Sequence, residues 1–305
     1  MKRRDFIITA GLGSISLYAN PACVRTRIKI RTAADLNAYL RSLYPIEPSV
    51  DRIIVGDPEI IIKKVGTVWM PYFKTLKEAV SRGVNVLIVH EPTFYAHWDL
   101  DVNHHKGQSY YDMPSPSKEQ YIEFVDEKKK WIEDNGILII RNHDVMDIIK
   151  DIGMPFGLGQ KLGFNKKDII RSKNYYNVYG VETDTARNIA KNIANKLKDF
   201  NQPGVAFYGD PERPVSSIGM GAGMICDPQI FADMQPDLYL AVDDTIRAWI
   251  QGTYAEDTGI PLVVINHGVS EENGMRLLNE FLSKTFPEFE FIHFNQGCSY
   301  KWITN

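Results

Sequence analysis

The chain has 305 residues, 44% hydrophobic and 24% charged, which suits one large or two modest domains with a real buried core and argues against disorder. A formal net charge of -3 leaves no basic footprint for a nucleic-acid partner. The three cysteines, Cys23, Cys226 and Cys298, form no C-x-x-C pair, which argues against a cysteine zinc site or a disulfide scaffold.

At the N-terminus, Lys2, Arg3 and Arg4 precede an apolar stretch from Phe6 to Ala19, and Ala19 to Ala22 offers a small-residue cleavage zone. Residues 1–25 are therefore expected to be a signal peptide, with Arg3-Arg4-Asp5-Phe6 resembling the twin-arginine type, and the mature protein is expected outside the cytoplasm. The apolar run is too short for a comfortable transmembrane helix, so no stable membrane insertion is expected. An apolar helix that stays with the fold is the alternative. Cys23 offers a lipidation site, but Asn20-Pro21 fits a lipobox badly, so plain export is the expectation.

Further along, Val65–Met70 reads as a strand, Thr75–Arg82 as a helix and Val84–His90 as a buried strand. Residues 91–116 form a long polar and aromatic loop. A charged helix over Lys118–Asp134 starts behind Ser117, an N-cap type, and Ile137–Arg141 is the next strand. The second part predicts a helix over Thr183–Asp199, a strand over Val205–Gly209 and a Gly-rich turn from Ile218. A strand over Asp237–Val242, a helix over Asp244–Ala255, a strand over Leu262–Ile265, a helix over Glu271–Lys284 and a closing strand over Phe289–Phe294 complete it. This alternation predicts an α/β fold of two related halves, about residues 34–155 and 170–305. The sheets should be mainly parallel, with a site at the C-terminal ends of the strands between the halves.

Asp134-Asn-Gly-Ile-Leu-Ile-Ile-Arg-Asn-His143 parallels Asp257-Thr-Gly-Ile-Pro-Leu-Val-Val-Ile-Asn-His267 with one residue inserted. Each segment leaves a helix through Gly, runs as an apolar strand and ends in Asn-His, which points to related βαβ halves. His90, His143 and His267 thus stand at strand ends. His143-x-x-x-Asp147 and His267-x-x-x-Glu271 put an acid four residues on, sharing a face if a helix follows directly, and Glu91 follows His90. Three imidazoles and three carboxylates suit zinc, manganese, iron or cobalt. A single strand-end histidine is more often a hydrogen-bonded surface residue, and a first-turn acid by itself favours the helix dipole. The coincidence occurring twice is what carries the reading. His97, Asp99, Asp101, His104 and His105 lie on the long loop, where polar residues are expected; a lid is the functional option there. Gly219-Met-Gly-Ala-Gly-Met224 departs from a dinucleotide fingerprint at Met224 and reads as a tight turn.

Four stretches occur in order: Gly56-Asp-Pro, Leu87-Ile-Val-His-Glu-Pro-Thr-Phe94, His143-Asp-Val-Met-Asp147 and His267-Gly-Val-Ser-Glu271. Over residues 34–305 they resemble the Nif-three-like dinuclear-metal-centre hexameric proteins, sometimes labelled type-two GTP cyclohydrolases. The resemblance implies His90, Asp147, His267 and Glu271 as ligands of two divalent metal ions and places His143 beside the site. It also implies a toroidal hexamer. The family pattern has two adjacent histidines after the buried strand; here the second is Glu91, which either ligates in its place or weakens that position.

The expectation is a metal-dependent hydrolase. His90, Glu91, Asp147, His267 and Glu271 bind two ions of zinc, manganese or iron, and His143 transfers protons or orients a ligand. The alternative is a non-catalytic metal-binding scaffold that forms a ring. The substrate is expected to be an unidentified small molecule.

Overall fold

The computed structural model describes residues 29–94, 118–173, 175–223 and 232–303. The expected signal peptide, Cys23, Cys226, Met224 and the loop histidines His97, His104 and His105 lie outside the described residues. In chain order the elements are α1 (Ala33–Ser42), β1 (Arg52–Val55), β2 (Lys64–Val68), α2 (Phe73–Ser81), β3 (Val86–Val89), α3 (Lys118–Asp134) and β4 (Leu138–Arg141). After these come α4 (Asp144–Ile148), α5 (Met154–Leu162), β5 (Ile169–Lys173), β6 (Tyr176–Thr185), α6 (Ala186–Leu197), β7 (Ala206–Tyr208) and β8 (Pro214–Met220). The chain finishes with β9 (Leu238–Val242), α7 (Thr253–Thr258), β10 (Leu262–Ile265), α8 (His267–Thr285) and β11 (Glu290–His293).

Two sheets result, ordered β1-β4-β3-β2-β11 and β5-β6-β8-β9-β10-β7. The first is parallel except at β1, which runs antiparallel to β4. The second keeps a parallel centre, β8-β9-β10, and is antiparallel at both flanks. The runs β1-β4-β3-β2 and β7-β10-β9-β8 therefore share one order and one set of directions. This is the structural form of the repeat: β4 and β10 are its two apolar strands, each entered through a left-handed glycine, Gly136 at φ 65° and Gly259 at φ 66°.

Strands β3, β4 and β10 are buried throughout, and apolar but for Arg141 at the end of β4, because helices cover both faces. One face of the first sheet packs Val65, Val86 and Ile88 against Leu36 and Leu40 of α1 and Leu278 and Leu282 of α8. The other face sets Leu87 and Val89 against Leu76 of α2 and Ile132 of α3. The second sheet buries Leu238, Leu240 and Val263 against Ile193 and Leu197 of α6.

Several elements differ from expectation. The helix expected from Thr183 begins at Ala186, because Asp184 and Thr185 pair with Val215 and Pro214 in the sheet. The turn expected from Ile218 is strand until Met220, with Gly219 paired to both Val178 and Tyr239. The helix expected over Asp244–Ala255 is broken into a 3-10 turn at Asp243–Thr245, a π-turn at Ala248–Gly252 and then α7. Strand β11 joins the first sheet, so sequence halves drawn at 34–155 and 170–305 do not each contain their own strands. No helix among the described residues is long and apolar enough to cross a membrane.

Candidate metal centre

The strand ends converge. His90 and Glu91 follow β3, and the backbone N–H groups of both donate to the Trp69 carbonyl, at 3.1 and 2.9 Å. His143 is the N-cap of α4, so Asp147 lies one turn in. His267 opens α8, four residues earlier than the helix expected from Glu271, which puts Glu271 one turn in. The i,i+4 spacing thus works in both repeats because the helix starts at the histidine.

Acidic caps fix these starts. Asp51 is buried and accepts from the backbone N–H groups of His143, Asp144 and Val145 at 2.5, 3.0 and 2.9 Å. Asp243 accepts from His267 N at 3.0 Å and from Asn266 Nδ2 at 2.9 Å. Burial pushes the Asp51 carboxyl up, while the backbone donors of Val145 and His143 hold it down.

Six side chains meet in overlapping groups whose donor atoms all lie within 4.8 Å of one another: His90 with Asp147 and Glu271, Glu91 with His267 and Glu271, and His90 with Glu91 and His143. His143 also groups with Asp144 and Asp147. Every residue singled out from the sequence as a ligand is therefore brought to one place. Glu271 is common to the His90–Asp147 and the Glu91–His267 groups: its Oε2 lies 3.3 Å from His90 Nε2 and 3.1 Å from His267 Nε2. Asp147 Oδ1 is 3.6 Å from His90 Nε2, and Glu91 Oε1 is 3.3 Å from His267 Nε2. The His90 and His143 rings stack at 4.4 Å, and His143 Nδ1 lies 3.0 Å from Asp144 Oδ1 and 3.4 Å from Asp147 Oδ2.

Neighbours orient these groups. Trp69 Nε1 donates to Glu271 Oε2 at 2.7 Å. Asp244 Oδ2 sits 2.6 Å from His267 Nδ1, and the Asn142 carbonyl 3.4 Å from His90 Nδ1. Both acceptors call for a proton on Nδ1 and leave Nε2 facing the cluster. His90 Nε2 is fully buried without a partner in hydrogen-bond geometry, a costly arrangement for a polar atom. A cation among Nε2, Asp147 and Glu271 satisfies it, and the mixed N and O donor set fits zinc, manganese or iron. Gly223, at φ 51°, makes room for the cluster: a Cβ there would overlap Glu271 Oε1 and come 2.7 Å from His267 Nε2.

Protons balance the acids where no cation does. Burial works against a charged His90, but Glu271, then Asp147 and Glu91, overcome it and raise the imidazole to about 9. His267 rises well above its usual value in the same way, burial being outweighed by Glu271 and Asp244. Burial opposes ionisation of Glu91, yet the His267 hydrogen bond and charge hold it at about 2. Burial wins at Asp147, raising it to about 6 against His143 and His90.

Trp69, Asp51, Asp243, Asp244 and Gly223 are parts of the site that the sequence reading did not single out. Asp243-Asp244 had a signal: they follow β9 where His90-Glu91 follow β3, at equivalent places in the repeat.

The family model described as Duf34/NIF3 (NGG1p interacting factor 3) matches residues 32–297. The chain belongs to the Duf34/NIF3 family. A Chlamydia pneumoniae relative named GTP cyclohydrolase 1 type 2 homolog is 24% identical over 260 residues, covering 83% of this chain and 94% of its own length. A hypothetical protein of Staphylococcus aureus superposes with a TM-score of 0.69 at 18% identity, covering 90% of this chain and 100% of that one. A Bacillus cereus protein related to NIF3 gives 0.67 at 11% identity, covering 90% and 100%. These structures share the fold.

Proposed function

We propose that this Duf34/NIF3 chain is a divalent-metal-dependent hydrolase with a dinuclear centre. Glu91, His267 and Glu271 would hold one ion, and His90, Asp147 and Glu271 the other. The observation that carries the reading is the Glu271 carboxylate common to both groups, set against the buried Nε2 of His90, which faces two carboxylates but meets neither in hydrogen-bond geometry. When bound, two such ions supply Lewis-acid polarisation of a scissile bond and activation of water.

The side chains do the remaining work. Trp69 fixes the Glu271 rotamer, and Asp244 and the Asn142 carbonyl aim the imidazoles. His143 holds a proton at Nδ1 between Asp144 and Asp147; burial disfavours that charge, but Asp147 outweighs it and raises the imidazole. From there it is placed to protonate a leaving group. Burial of His90 and Glu271, 0% and 2% exposed, excludes bulk water from one side. Asp147 and His143, with side chains 19% and 23% exposed, face the open side. The word cyclohydrolase in the name of the Chlamydia relative supports the hydrolytic class, and only that class is carried over.

Elemental analysis of gently purified protein tests the centre. About two transition-metal ions per chain are expected, falling in Asp147→Ala and His267→Ala. Near-zero content that incubation with zinc or manganese does not raise would refute it. A screen of ester, amide, phosphate and nucleotide substrates then tests the chemistry. The near-complete burial of His90 and Glu271 favours one second reading, metal as structural glue in a ring oligomer. In that case chelation melts the protein or its assembly, and no substrate is turned over.

A further inference from the structure

We propose that the cleft opening beside Asp147 is a ring-binding subsite, which takes an aromatic or heteroaromatic ring and presents its amide, ester or phosphoryl group to the centre. The inference rests on the metal-centre reading above. The cleft has a volume of about 640 Å³, within the range of small-molecule sites. One wall is Asp147–Asp151 at the end of α4, followed by Pro155 and Phe156 of α5. Residues of β5 and the start of β6 line the cleft as well, and so does the exposed Tyr44.

Asp147 ties the cleft to the chemistry, since it both lines the wall and belongs to two of the ligand groups. A molecule in the cleft therefore meets the centre on its more open side. The walls suit a flat ring: Tyr44, Phe156 and Tyr175 offer aromatic faces, while Ser172 and Asn177 offer polar groups to ring heteroatoms. Tyr175 lines the same cleft as Asp147, directly before β6. Charge does not select the ligand. Asp147 and Asp151 are matched in number by Lys150 and Lys166, and Lys166 is ion-paired with Asp151. A second aromatic cleft among the described residues, lined by Trp249, Tyr254 and Tyr239, contains no residue of the ligand groups.

Calorimetric titration of zinc- or manganese-loaded protein with benzohydroxamate and acetohydroxamate tests the subsite. The two probes share a chelating head and differ in the ring. Benzohydroxamate should bind about tenfold tighter, the size of a favourable aromatic contact plus burial. Tyr44→Ala and Tyr175→Ala should each reduce that preference, and Tyr175→Phe should keep it. Tyr44 is 45% exposed, so its substitution should leave the circular dichroism spectrum unchanged. Equal affinity for the two probes, or a ring preference that survives the Tyr44→Ala/Tyr175→Ala double variant, overturns the subsite while leaving the centre intact. If neither probe binds and no metal is retained, the metal reading fails and the subsite falls with it.

Discussion

Trp69 is the most informative side chain to change, because it touches the centre twice by different means. Its carbonyl accepts from His90 and Glu91, which no substitution at this position removes. Its indole Nε1 donates to Glu271 Oε2 at 2.7 Å, which Trp69→Phe abolishes while keeping an aromatic ring against Gly268. A hydrogen bond to a charged acceptor contributes about 1.5–3 kcal/mol. Loss of a group that orients a metal ligand lowers affinity by about 10–100-fold, or about 1.4–2.7 kcal/mol. The two estimates agree, so metal affinity in Trp69→Phe should fall by about one to two decades.

Competition titration against a fluorescent zinc indicator reads this directly. The lost ring volume should also cost about 1–3 kcal/mol of stability, measured on chelator-treated protein by urea denaturation. An affinity within about twofold of the parent, in a background where Asp147→Ala does lose metal, would refute the claim that the indole preorganises Glu271.

Gly223→Ala should keep the far-ultraviolet circular dichroism spectrum but lower metal content from about two to about one per chain, since its Cβ would invade the Glu271–His267 pair. Asp51→Ala should lower stability by about 2 kcal/mol, seen as a lower melting temperature, because three backbone N–H groups at the start of α4 lose their acceptor. In metal-free protein, His90 is raised from 6.5 to about 9, so its stabilising contribution is full below pH 6.5 and lost as pH rises through about 9. Metal must displace that proton, so the gain in melting temperature on adding manganese should grow between those pH values. A gain that shrinks with rising pH would count against His90 as a ligand.

The site was legible where chemistry and local spacing coincide, and hidden where it depends on distant partners. His143 with Asp147 and His267 with Glu271 are four residues apart on helices that start at the histidine, so sequence spacing translated directly into a shared face. Asp51 reaches its partners across 92 to 94 residues, and nothing near it marks it as a cap. Gly223 matters for the volume it leaves empty, which a Gly-rich segment does not reveal. Among the elements, β3, β4 and β10 showed plainly because both faces are buried. Strand β6 carries Glu182, Asp184 and two threonines on an exposed end, so its tail resembled the start of a helix. Helix α5 hides behind Pro155, Gly157 and Gly159. Gly157 is there for contact, since a Cβ would lie 2.6 Å from Gly274 N on α8.

Glu91 is where this chain leaves the two-histidine pattern it resembles, and the structure places its carboxylate within the cluster, 3.3 Å from His267 Nε2. It is buried and held ionised, burial being overcome by the His267 hydrogen bond. Two carboxylates about 4 Å apart repel by about 4 kcal/mol at an effective dielectric of about 20. Glu91, Asp147 and Glu271 therefore share the pocket only with compensating positive charge. In the metal-free protein the imidazoles of His90 and His267 supply it, and the raised value of Asp147 reflects the remaining strain. With two divalent ions, three carboxylates leave a net charge of about +1, whereas histidine at position 91 would leave about +2. Glu91→His should therefore bind inorganic phosphate more tightly. It should also shift metal preference from manganese or iron towards zinc, because imidazole nitrogen replaces carboxylate oxygen. Competitive metal loading followed by elemental analysis reads the preference, and calorimetry reads the phosphate. If Glu91→His keeps the parent's metal selectivity and phosphate affinity, Glu91 is a partner of His267 and not a ligand, and the second ion must be held without it.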